Sequence, residues 1–170
     1  DEDNQVSDTP ADNGYIAIAA GRNHSLALKA DGSIKSWGAD NYDQVSNTPT
    51  DNGYIAIAAG GYYSLALNAN GNIVSWGSQN RDNMNDIPSE SGYTAVSAGH
   101  YHAVALKADG TMVAWGNNGY QQVSNTPTES GYIAIAAGIY HNLALKADGS
   151  MVAWGKNGYG QVSDTPADNG

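Results

Sequence analysis

The chain has 170 residues, with 21 Gly, no Cys and no Phe, and a net charge of −10 from 7 Lys and Arg against 17 Asp and Glu. Without Cys there is no disulfide framework, thiolate metal site or cysteine nucleophile, and so few cations argue against a nucleic-acid footprint that must neutralise several phosphates. A hydrophobic fraction of 41% is too high for a disordered chain, and no apolar run approaches the ~20 residues of a membrane-spanning helix.

A 39-residue period organises everything that follows. Trp37-Gly38, Trp76-Gly77, Trp115-Gly116 and Trp154-Gly155 stand 39 residues apart, and Gly14-Tyr15 recurs with the same spacing. Such a period points to a repeat architecture. The residues predict one repeat domain over 1–170, with units 15–53, 54–92, 93–131 and 132–170 and no linker between them. Twelve of the 39 columns are identical in all four copies, Ala20-Gly21, Ala27-Leu28 and Pro49 among them.

Within the first unit, Tyr15–Ala20 reads as a strand that ends at Gly21, and His24–Lys29 as a second. Asp31-Gly32 is a two-residue hairpin signal leading into a third strand, Ser33–Gly38. Gln44-Val45-Ser46 reads as a weaker fourth strand closed by Pro49. Frequent Gly and the lack of an apolar 3.6 period exclude helix. Alternation places Ile16, Ile18, Leu26, Leu28 and Ile34 on one face and Ala17, Ala19 and Ala27 on the other. Sheets bulky on one side and small on the other can stack on copies of themselves. The expected fold is therefore all-β: four four-stranded antiparallel blades of a β-propeller type, partial or assembling.

The run Ala-Gly-x-x-His-Ser-Leu-Ala-Leu-x-x-Asp-Gly-x-x-x-x-Trp-Gly, carried by Ala20–Gly38 and matched at His102–Gly116 and His141–Gly155, resembles the regulator of chromosome condensation repeat. That family forms β-propellers that usually close with seven blades. The second copy departs at Tyr63, Asn68 and Asn70. The short unit with its Pro-containing connector is most similar to bacterial members such as the β-lactamase inhibitory propeller. The resemblance implies the fold and leaves function open, because members include an exchange factor, a photoreceptor, inhibitors and scaffolds. At a seven-fold pitch, four units cover little more than half a ring. Gln5–Gly14 also repeats Gln161–Gly170 residue for residue. The expectation is a window on a longer array, or a chain that pairs end to end with copies of itself.

No catalytic constellation is visible, so the chain reads as a non-enzyme with no cofactor and no metal. His24, His102 and His141 share one repeat column, which spreads them one per blade and suits structure better than a metal site. His100 with His102 lacks a third ligand. Asp40, Asn41 and Asp43 lack the Gly and terminal Glu of a calcium loop. Asn23-His24-Ser25 is a glycosylation sequon, meaningful only in an exported protein. The Trp column suits packing between blades.

Copies differ most in the loops after the first and third strands, which a meander brings to one end of each sheet. Those loops carry Arg22, Tyr42, Tyr62, Arg81, His100, Tyr101, Tyr120, Tyr140 and Tyr159, residue types enriched at recognition surfaces. They are the candidate partner-binding residues. The leading reading is a non-catalytic scaffold presenting this Tyr-rich face to a protein partner of basic or mixed charge, with no nucleic acid and no membrane insertion. Alternatives are a self-assembling array or filament subunit, an enzyme inhibitor of the β-lactamase inhibitory type, and a carbohydrate-binding propeller. Composition favours a secreted or cell-surface protein over a cytoplasmic one, and the resemblance to bacterial members implies a bacterial-like protein.

Overall fold

The computed structural model describes residues 2–78 and 84–166. Its twelve strands fall into four sheets, β1–β3 (Tyr15–Ala20, His24–Lys29, Ile34–Gly38), β4–β6 (Tyr54–Ala59, Tyr63–Asn68, Ile73–Gly77), β7–β9 (Tyr93–Ala98, His102–Lys107, Met112–Gly116) and β10–β12 (Tyr132–Ala137, His141–Lys146, Met151–Gly155). Each sheet is an antiparallel meander of consecutive strands. The units are thus three-stranded, and none of the described residues forms the expected fourth strand, whose unit 2 position begins at Asn83, outside the described residues.

The segment after the third strand forms a tight turn instead. Asp40 Oδ1 accepts hydrogen bonds from Val45 N at 2.8 Å and Ser46 N at 2.9 Å, and Asn118 and Asn157 do the same for Val123–Ser124 and Val162–Ser163. A short polar side chain that holds two amides offers the backbone an alternative to ladder bonds, and Gln44-Val45-Ser46 is too short to compete. The hairpin between the second and third strands also differs from expectation. Gly32 N donates to Lys29 O and Lys29 N to Ser33 O, so the loop is Ala30-Asp31-Gly32. Gly32 sits at φ +82°, the left-handed position that closes a three-residue hairpin and favours glycine.

The register corrects the expected faces. Ala17 pairs with Leu28, Ala19 with Leu26 and Ile18 with Ala27, while Leu28 pairs with Ile34. Directly paired residues share a face, so Ala17, Ala19, Leu26, Leu28 and Ile34 lie together and Ile18 lies opposite with Ala27. The pairing slips between Tyr15 and Ala17, and a one-residue slip moves a strand's side chains to the other face. Each sheet is therefore mixed on both faces, small where its neighbour is bulky.

This arrangement builds the core between units. Leu26, Leu28 and Ile34 with Ala17 and Ala19 of unit 1 pack on Tyr54, Ile57, Ala59, Ala66, Val74 and Trp76 of unit 2. The same faces meet between units 2 and 3, with Met84 and Ile87 added, and between units 3 and 4. The first strands of neighbouring units touch one another along the array. The four sheets form an open, propeller-like array: Ile18 of unit 1 is 82% exposed, and Leu143 and Met151 of unit 4 are 36% and 38% exposed.

Candidate functional site

The Ala-Gly pair at Ala20-Gly21 and its three repeats line a shallow opening of about 380 Å³ at one end of the first strands. A Cβ on Gly21 would stand 2.7 Å from Gly60 O of the next unit and 2.4 Å from the His24 ring. That close approach lets Arg22 N donate to Gly60 O and Gly61 N to His100 O, tying the loops of successive units together.

Beside this opening the variable loops converge. Tyr42 of unit 1 lies edge-on to Tyr62 of unit 2, centroids 5.0 Å apart, and Tyr120 of unit 3 meets Tyr140 of unit 4 at 5.1 Å in the same way. Tyr62 approaches His100 at 5.4 Å and Tyr101 at 6.0 Å, His100 and Tyr101 touch at 4.1 Å, and Tyr101 reaches Tyr140 at 6.4 Å. The result is a continuous aromatic ribbon across all four units. Arg22 closes one end, its guanidinium 5.3 Å from the Tyr62 ring centre and donating to the Tyr62 hydroxyl. Lys156 closes the other, its Nζ 4.8 Å from Tyr120 and 5.0 Å from Tyr140. Cations over ring faces are held by the ring quadrupole.

The sequence-predicted residues divide accordingly. Arg22, Tyr42, Tyr62, His100, Tyr101, Tyr120 and Tyr140 come together, whereas Tyr159 stands apart at 92% exposed. Arg81 lies outside the described residues. Lys156 was missed, although it directly follows Trp154-Gly155 on the same face. Asn23 donates its amide to Asp3 at 2.7 Å.

The histidine column has a structural task between units. His24 Nε2 lies 2.9 Å from Ser64 Oγ, and His102 Nε2 lies 2.9 Å from Asn142 Oδ1, each on the next unit. In unit 2 Tyr63 replaces the histidine and donates its hydroxyl to Gly99 O and His102 O. Burial pushes His24 down to about 4 and lowers His102 as well, so both are neutral at pH 7. Among the described residues no group of three or more His, Asp or Glu is placed to hold a metal. No described helix is long and apolar enough to cross a membrane.

The sequence profile of the Regulator of chromosome condensation (RCC1) repeat matches residues 15–44, 54–83, 93–122 and 132–161. Three solved structures show the likeness. The CRINKLY WD40 ectodomain of the Arabidopsis thaliana receptor kinase ACR4 is 28% identical with a TM-score of 0.73, over 92% of this chain and 54% of that one. The ectodomain of the Physcomitrella patens receptor kinase CR4 is 25% identical with a TM-score of 0.72, over 84% and 39%. Prp20p from Saccharomyces cerevisiae, described with its binding to Gsp1p and histones, is 25% identical with a TM-score of 0.70, over 87% and 46%. The chain thus spans about half or less of each relative's length. A comparison with curated protein sequences finds no match.

Proposed function

This chain belongs to the Regulator of chromosome condensation (RCC1) repeat family, and we propose that it is a non-catalytic scaffold that takes a protein partner on its aromatic ribbon. The observation that carries this reading is the ladder of ring contacts from Tyr42 to Tyr120, capped by Arg22 and Lys156. Rings already held against one another lose little side-chain freedom on binding, and Tyr offers both an apolar face and a hydroxyl. A narrow ribbon of rings suits an extended segment of the partner, with the two end cations meeting its anionic groups. The rest of the chain is acidic, so a partner surface of mixed charge is favoured.

Protein binding by Prp20p supports the reading, and the two receptor ectodomains support an extracellular placement. The inhibitor and carbohydrate-binding alternatives have no observation of their own. Converting Tyr62, Tyr101 and Tyr140 to Ala together tests the proposal by affinity capture from the source proteome. Partners held by the parent chain are expected to disappear from the triple variant while its circular dichroism stays unchanged. An unaltered set of partners would overturn the reading.

A further inference from the structure

Two kinds of residue line the shallow opening beside the aromatic ribbon. The Ala-Gly pair is the same in all four units, whereas the residue that follows it differs in every copy, as Arg22, Gly61, His100 and Ile139. Arg22 is exposed and Ile139 is 59% exposed. A Cβ on Gly61 would stand 2.9 Å from the His100 ring, so the glycine gives the imidazole room to lie across unit 2. A small, constant lining thus carries one varied side chain per unit.

The next residue in each loop supplies a ladder. Tyr62, Tyr101 and Tyr140 share one repeat column, each partly exposed, with ring centres 6.0 and 6.4 Å apart. That step discriminates among ligand backbones. An extended strand returns a side chain to one face every second residue, after about 6.4–6.8 Å and less when strongly twisted. A polyproline helix does so every third residue, after about 9.3 Å. An α-helix advances about 5.4 Å per turn and is about 10 Å wide. The ladder lies nearest the twisted strand. Charge adds a second constraint, because cations flank the three rings. The Arg22 guanidinium is 5.3 Å from the Tyr62 ring centre, and Lys156 Nζ is 5.0 Å from that of Tyr140. On a chain of net charge −10, these two positions attract the acidic groups of a ligand that the rest of the surface repels.

We infer that the ligand of the ribbon is an extended peptide segment read at alternate positions, with an acidic residue on Arg22, apolar residues on Tyr62, Tyr101 and Tyr140, and a second acidic residue on Lys156. This rests on the reading of the ribbon as a partner surface and adds the pattern of the partner. At two residues per step the segment is about nine residues long, and its intervening side chains face away from the rings. The Ala-Gly lining leaves space for its backbone over the opening. Exposed Ile139 adds apolar surface at unit 4, where unit 1 has Arg22, so the two halves of the segment are held unequally.

Fluorescence anisotropy with labelled peptides of blocked termini provides the test. The probe Asp-Thr-Val-Thr-Val-Thr-Val-Thr-Asp is expected to bind at least about tenfold more tightly than two peptides of the same composition, one with its valines adjacent and one with them at every third position. Tyr101→Ala should weaken the probe about tenfold. Arg22→Ala should weaken it severalfold, yet make no difference to a probe whose Asp residues are replaced by Asn, a contrast that loss of folding would not produce. Equal binding of the three peptides, or binding of the probe that is indifferent to Arg22→Ala, would overturn the inference. No binding of any peptide would overturn it too, and would leave the ribbon reading standing wherever partner capture is still lost in the Tyr62, Tyr101 and Tyr140 triple variant. Partners that survive the triple variant would overturn both.

Discussion

Leu65 and Leu143 occupy the same repeat column in the same kind of strand, yet one is fully buried and the other 36% exposed. The difference is that unit 3 packs over Leu65, while no described unit covers Leu143. His24 and His141 differ likewise: His24 reaches Ser64 on unit 2, while His141, in the last unit, is half-buried. The comparison teaches that a unit encodes two half-interfaces rather than a core of its own, so stability comes from neighbours, as in other repeat proteins. The loop face stands outside that exchange. Its Tyr and Arg residues vary from copy to copy while the stacked faces keep their small and bulky columns.

Paired substitutions in one column can break or sharpen this contrast. The largest effect is expected from Leu65→Ala, about 4 kcal/mol by urea denaturation, against less than about 1 kcal/mol for Leu143→Ala. Equal losses would mean that units carry their own cores.

Acid comes next. His24 is buried neutral, with its folded-state value held near 4 against about 6.5 unfolded. Its contribution is complete above pH 6.5, falls as the pH drops from 6.5 toward 4, and is exhausted below that. The loss is roughly 3 kcal/mol, and His102 adds to it in the same direction. His24→Tyr installs the group that unit 2 uses at Tyr63 and should flatten the His24 part of the denaturation profile. A profile that stays as steep would place the acid sensitivity elsewhere.

The smallest effect concerns the close approach at the loop end. A Cβ at residue 99 would stand 2.6 Å from Gly138 O, whereas at residue 138 the nearest atoms are those of the half-buried His141 ring. Gly99→Ala should cost about 2 kcal/mol and Gly138→Ala about 1 kcal/mol, read as a difference in melting temperature.

Much of this was legible in advance because the repeat prints it four times. The strands Tyr15–Ala20 and His24–Lys29 were read to the residue, since alternation and a glycine bound each of them. Their relative phase was not legible: the slip at Tyr15/Ala17 belongs to the pairing, and no in-strand pattern records it. The expected strand at Gln44–Ser46 failed for a local reason, the Asp40 carboxylate holding the Val45 and Ser46 amides. On the loop face, variation between copies picked out the tyrosines. That Tyr42 meets Tyr62 depends on contact between units, and so does the seat of Lys156 on Tyr120 and Tyr140.

The claim that stacking carries the fold is most directly tested by amide hydrogen exchange across the four sheets. Protection should peak in β5 and β8, the middle strands of the two units stacked on both faces, and fall off toward β1 and β12. Equal protection in all four sheets would contradict it.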